Sequence, residues 1–147
     1  IAEIVTPGRI GRGELFAYQR IRSQFSVYWG GRLAAWDSLV LEPARWETRF
    51  GLFDEYTHLA TFWVLSERVT SAHLENIHRL LDTFAATNDG RTGTVHDVYA
   101  GVSLLPENGL VVRMLGHSVR ALQARIEAVW RLLRPELLGS EPFQIRK

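Results

Sequence analysis

Along residues 14–29 apolar and polar side chains alternate in two stretches, Phe16 with Tyr18 and then Phe25, Val27 and Trp29. A period of two puts alternate residues on one face of an extended chain, so both stretches predict strands. Gly30-Gly31 ahead of Arg32 offers consecutive positions that tolerate positive φ, and the apolar run 33–41, stopped by Pro43, completes a predicted hairpin. Residues 44–57 show no clear period, whereas 58–65 form a short, aromatic-rich apolar run of the kind a buried strand has. A helix follows from Thr70 or Ser71, whose hydroxyls can accept from an orphan helix amide. Leu74, Ile77, Leu81 and Phe84 recur at spacings of three, four and three, and Asn88-Asp89-Gly90 stops the pattern.

Residues 95–105 and 110–115 flank Pro106-Glu107-Asn108-Gly109, with proline suited to the first corner and glycine to a left-handed exit, which predicts a second hairpin. Ser118 then caps a second helix striped by Val119, Leu122, Ile126, Val129, Trp130 and Leu133; Pro135 is expected to kink or end it, and Gly139 to close the segment. Burying one such stripe does not offset the entropy of ordering a helix by itself, so the helices must lie on a sheet or a partner. The order of elements therefore predicts a mainly β fold with two α-helices packed on the strands, in a single domain over residues 1–147.

Composition narrows the function classes. With 147 residues, 46% hydrophobic and 22% charged, the chain has the make-up of one globular core, and no window is apolar enough for a membrane span. The absence of cysteine excludes a thiolate nucleophile, a disulfide framework and a Cys-based zinc site, and makes a reducing, cytoplasmic setting the expectation. A net charge of +1 argues against a nucleic-acid partner, and no membrane partner is expected. The opening Ile1-Ala2-Glu3-Ile4-Val5 has neither an initiator Met nor the basic and apolar regions of a signal peptide, and reads as a chain cut mid-protein.

Chemistry-bearing motifs are sparse. No G-x-S-x-G elbow occurs, and the glycines of 8–13 lack the spacing of a phosphate cradle. His73 and His78 are five residues apart and point to different faces of a helix; Glu75, His78 and Asp82 share a face and form only a weak candidate for a divalent ion, because the same face is the solvated side opposite the apolar stripe. Glu14, Asp37 and Glu42 are the carboxylates set among apolar strand residues. They allow an alternative reading as a β-helix carbohydrate-active hydrolase using Glu14 and Asp37.

Four segments carry a resemblance. Thr6-Pro7-Gly8-Arg9 with Gly13-Glu14-Leu15-Phe16 resembles the "T-P-G-R … G-E-x-F" signature of the urease accessory protein UreD, called UreH in some organisms. Gly31-Arg32-Leu33 with Asp37-Ser38-Leu39-Val40-Leu41 is similar to that family's "G-x-L … (D/E)-R-L-x-L" strand, with Ser38 where arginine is frequent. Gly109-Leu110-Val111-Val112-Arg113-Met114-Leu115-Gly116 resembles its "G-L-x-V-R-x-L-G" strand, and the stretch from Trp130 through Leu133-Arg134-Pro135 to Leu138-Gly139 its "W-x-x-L-R-P-x-L-L-G" helix end. The ending Gln144-Ile145-Arg146-Lys147 departs from the family's "P-R-I-W". The resemblance covers about the later half of a family member.

That resemblance implies a right-handed β-helix-like framework and a scaffold that is not an enzyme. It further implies binding to apo-urease and UreF, with UreG reached through UreF, and assistance to nickel insertion into the urease active site. No tightly bound cofactor is expected, only transient Ni²⁺. A conduit of this kind needs weak, exchangeable oxygen and nitrogen ligands, since a tight cage would trap the ion. On the matching positions Arg9 and Glu14 are the first candidates for polar interior residues, with Asp37 and Arg113 next; an Arg9–Glu14 pair could instead lock the start of a strand.

Overall fold

A computed structural model of the chain describes residues 1–46, 53–86 and 97–139. Strand β2 (Ile21–Trp29) turns into β3 (Arg32–Leu41) through Gly30 and Gly31 at φ 56° and 79°. Two successive left-handed residues give the turn whose twist matches that of paired strands. The register slips between Val27 and Tyr28, so that Ala34 bulges and the inward phase of β3 runs Ala35, Asp37, Leu39, Leu41.

Strand β4 (His58–Leu65) is the interior strand of a second sheet, pairing with β1 (Ala2–Val5) on one edge and β6 (Gly109–Gly116) on the other; β5 (Val98–Leu104) completes the order β1-β4-β6-β5. Being covered on both faces, β4 is apolar from Leu59 to Leu65 but for Thr61, with no alternation. Between β5 and β6 it is Asn108, at φ 54°, that takes the left-handed position expected of Gly109. Glycine is needed at 109 for a different reason: a Cβ there would sit 2.4 Å from the Val64 carbonyl oxygen of β4.

Helices α1 (Ser71–Ala86) and α2 (Val119–Leu138) lie on one face of this sheet. The Ser118 hydroxyl accepts from the Ala121 amide and caps α2, as its sequence suggests. Pro135 neither ends nor closes the helix, which runs on to Leu138; a proline in the last turn forfeits one backbone bond, and the chain stops instead at Gly139, left-handed at φ 63° with its amide donating to the Pro135 carbonyl. At the start of α1 the Thr70 hydroxyl meets His73 Nδ1 at 2.9 Å, and that nitrogen accepts from the Thr70 amide at 3.0 Å. The expected stop at 88–90 and residues 95 and 96 of the expected strand lie outside the described residues.

The alternation at Phe16 and Tyr18 is not a strand. A 3-10 turn at Ile10–Arg12 and a left-handed Phe16 at φ 54° fold residues 6–18 into a loop, and both rings turn inward against Leu41, Trp46 and Phe53. A loop draped over a core buries alternate side chains just as a strand does, which is why the pattern misleads.

The molecule is thus mainly β, in two sheets, with two helices: hairpin, four-stranded sheet and helix pair form successive layers. Every ladder among the described residues is antiparallel, whereas a β-helix is built on parallel stacking. Tight two- and four-residue turns at Gly30-Gly31 and 105–108 dictate antiparallel neighbours within these sheets.

Candidate functional site

On the helix side the sheet is uninterrupted: Ala60, Phe62, Leu110, Val112 and Met114 meet Ile77, Leu122, Val129 and Leu133 in one buried cluster. On the hairpin side two smaller clusters form. Val27, Ala35, Trp63 and Val111 pack near the Gly30-Gly31 turn, and Val5, Leu41 and Phe53 near the other end. Between them runs a polar row. The ladder sets Glu3 opposite Thr61, and Thr61 opposite Arg113, so that three adjacent strands present a polar side chain in register on the face that looks toward the hairpin.

The hairpin answers this row from above. Arg113 Nη2 donates to Asp37 Oδ1 at 2.9 Å, joining β6 to β3, and the Ser23 hydroxyl donates to Glu3 Oε1 at 2.8 Å, joining β2 to β1. These residues, with Thr61, Phe25 and Leu39, line a cleft of about 230 Å³. Thr61 is buried, while the Asp37 and Arg113 side chains are 28% and 56% exposed, so water reaches the ion pair. Two carboxylates and two hydroxyls can hold a hydrated cation loosely through oxygen, with the Arg113 guanidinium opposing it, but they do not make a cage: no group of three or more His, Asp or Glu suited to a metal ion occurs among the described residues.

Of the residues singled out from sequence, Asp37 and Arg113 are brought together here, and Arg9 and Glu14 are elsewhere. Arg9 Nε and Nη2 donate to Glu14 Oε2 and Oε1 at 2.6 and 2.8 Å, a two-pronged clasp on the surface with Arg9 66% exposed. The interior position expected for this pair is not found; the loop folds back so tightly that a Cβ on Gly8 would lie 2.4 Å from the Glu14 carbonyl, and the clasp closes it from outside. Glu14 does not line the cleft that holds Asp37, so the two carboxylates of the hydrolase reading do not share a site. Glu42 is engaged by Arg45 at 2.7 Å and Arg20 at 3.3 Å. The Arg45 hydrogen bond, helped by the charges of Arg45 and Arg20 and opposed by desolvation, holds its carboxyl below the usual range. Glu75, His78 and Asp82 stand exposed on the outer face of α1.

Sequence reasoning missed Glu3, Ser23 and Thr61. The signal for Thr61 is a lone hydroxyl inside the apolar run 58–65, the same kind of interruption that marks Arg113 in its own strand; Glu3 had none, because a four-residue strand is too short to declare its phase. Two histidines are also structural. His73 Nε2 lies 3.0 Å from Glu136 of α2, and buried His58 meets the Thr57 hydroxyl at 2.8 Å; burial lowers the His58 pKa, the nearby charge of His117 acts the same way, and the Gly116 backbone opposes both.

Known proteins match along the whole chain. The family model described as "UreD urease accessory protein" covers residues 1–147. Among curated relatives, the urease accessory protein UreD of Bacillus sp. (strain TB-90) is 30% identical over 146 residues, covering 99% of this chain and 50% of the relative. The one from Arthrobacter sp. (strain FB24) is 34% identical over 156 residues, covering 100% of the chain and 49% of the relative. The chain spans about half the length of the curated relatives it matches. It belongs to the UreD family of urease accessory proteins.

Proposed function

We propose that this chain is part of a scaffold for urease maturation, binding apo-urease and UreF, with UreG held through UreF, and assisting delivery of Ni²⁺ to the urease active site in the cytoplasm. Nickel is cargo here. The observation that carries the reading is the polar row of Glu3, Thr61 and Arg113 crossing an otherwise apolar sheet beneath Asp37 and Ser23. A sheet face built only for stability would gain more from apolar side chains at these positions, because a fully buried Val or Leu contributes about 1.5–3 kcal/mol and a part-exposed ion pair at most about 1 kcal/mol. A wet cleft with spaced oxygen ligands suits an ion that must move on.

In this reading Asp37 and Glu3 are the transient ligands, and Arg113 keeps the passage closed to cations until its guanidinium leaves Asp37. Arg9 and Glu14 act from outside, holding the loop 6–18 against the aromatic cluster so that a protein surface is kept in shape. We further take residues 1–147 as one domain, the later part of a UreD-like protein, in which the two sheets are a section of the wider β-helix-like framework. In this reading neither nucleic acid nor a membrane is among its partners.

The test is co-expression with UreF, UreG and apo-urease, reading both complex formation and urease activation by nickel. Asp37→Ala is expected to leave the complex intact and lower activation, whereas Arg9→Ala and Glu14→Ala weaken association first. Full activation by a chain carrying both Glu3→Ala and Asp37→Ala would sink the conduit. The hydrolase alternative has no geometric support, because Glu14 and Asp37 lie in different sites and each is tied to an arginine.

A further inference from the structure

The two stacked sheets are mismatched in width. Below are four strands, β1-β4-β6-β5, and above them only β2 and β3. The cross-sheet contacts fix where the narrow sheet sits: Ser23 of β2 reaches Glu3 of β1, and on the other side Asp37 of β3 reaches Arg113 of β6. Among the described residues no strand lies above β5. Its residues of the upward phase, Tyr99, Gly101 and Ser103, are exposed, Tyr99 at 65%.

That bare strip is a trough. One stretch of about 560 Å³ is floored by Tyr99, Gly101, Ser103, Arg113 and Leu115, and an adjoining one of about 340 Å³ runs past Leu33, Trp36, Leu105 and Val111. Its side wall is β3, a ten-residue strand that pairs with β2 on one edge and, among the described residues, has no ladder on the other. Paired strands lie about 4.8 Å apart and stacked sheets about 10 Å apart, so a strand hydrogen-bonded to the free edge of β3 would lie over β5 and β6. An open edge beside an uncovered apolar floor is the arrangement that natural proteins cover or blunt. Here the edge residues 33–41 carry no lysine, proline or inward charge other than the paired Asp37.

We propose that the free edge of β3 accepts a further antiparallel or parallel strand, lying in the trough across β5 and β6, and that this strand belongs to the portion of the UreD polypeptide absent from this chain. The choice of source rests on length: the relatives are about twice as long as the matched region, so each carries as much polypeptide again beyond the part that builds the wide sheet. Floor chemistry states what the strand must look like. Its downward residues are apolar toward Leu115 and Tyr99 at one end and toward Val111 and Leu105 at the other. Between them comes a small or oxygen-bearing residue, because Gly101 leaves space and the half-exposed Arg113 offers five donors with one engaged by Asp37. The proposal rests on family membership and uses nothing of the nickel reading.

The test uses overlapping peptides tiling the half of the Bacillus sp. (strain TB-90) protein that this chain does not match, titrated into the purified 147-residue chain and followed by amide hydrogen exchange. One peptide, or two neighbours, should bind and slow exchange along β3 and on β5 and β6. Gly101→Trp fills the floor where a Cβ meets nothing within 4 Å, so it should keep the melting temperature of the chain. The same change should weaken peptide binding about tenfold or more. No binding by any peptide, binding that protects another region, or binding indifferent to Gly101→Trp overturns the proposal. So does protection of β3 in the chain alone that grows with concentration, which would mean that a second copy is the occupant. No urease, nickel or UreF enters the experiment, so its failure leaves the proposed function standing and its success does not prop it up.

Discussion

On its helix side the four-stranded sheet offers Ala60, Phe62, Leu110, Val112 and Met114 to two amphipathic helices, while on its hairpin side the same strands break two smaller apolar clusters with Glu3, Thr61 and Arg113. One face is dry and continuous, the other is divided and partly wet. Since β4 and β6 contribute to both, strand propensity does not set the difference; the phase of single residues does. Function is therefore to be sought where a strand spends an inward position on a polar side chain, and stability where it does not.

The contrast predicts unequal responses to mutation. Leu122→Ala, a fully buried α2 residue against the sheet, should cost about 2–5 kcal/mol by urea unfolding, and half-buried Leu39→Ala on the hairpin side clearly less. Equal losses would break the comparison. Next comes Gly109→Ala, whose new Cβ would meet the Val64 carbonyl oxygen of β4 at 2.4 Å; a loss of about 1–3 kcal/mol is expected, while Gly101→Ala, with open space, should be near neutral. The Asp37–Arg113 pair sharpens the hairpin side. With Arg113 56% exposed, a double-mutant cycle with Asp37→Ala and Arg113→Ala should give a coupling of roughly 0.2–1 kcal/mol, too little to account for the pair as a stabiliser. A coupling of several kcal/mol would make the cleft a structural lock.

The smallest effect is a slope. His58 shares its phase on β4 with Ala60 and Phe62, and burial holds its pKa below the ordinary value near 6.5. Below that ordinary value the unfolded chain takes up a proton that the folded chain resists, so stability is full above it and falls as pH drops toward the folded value. Melting followed across mildly acid pH should show this decline, and His58→Gln should flatten part of it. An unchanged slope would remove His58 as the source.

Much of this was readable in advance, for local reasons. The Gly30-Gly31 hairpin, the strand 58–65, the Ser118 cap and the Gly139 stop each depend on residues within a few positions of one another, and each stands where the pattern puts it. Phe16 was misread because its alternation comes from a loop folded on Trp46 and Phe53, residues about thirty and more positions away. At the candidate site Asp37 and Arg113 were named from a resemblance, but nothing local says that they meet, since they are 76 positions apart. Arg9 and Glu14, five positions apart, do pair as their proximity suggests, though on the surface and not in an interior.

The amino-acid sequence by itself determined most of the elements, the loop 6–18 and the short β1 excepted: which segments extend, which wind, and where most turns and caps fall, because these follow from backbone sterics and hydrogen bonds among near neighbours. Register was left to the tertiary structure. Only the pairing of β1, β4 and β6 sets Glu3, Thr61 and Arg113 in one row, and only the stacking of the hairpin puts Asp37 over it. A shift of one residue in any of these strands would turn its polar side chain to the helix face, so the cleft exists through long-range packing that no short stretch of sequence encodes.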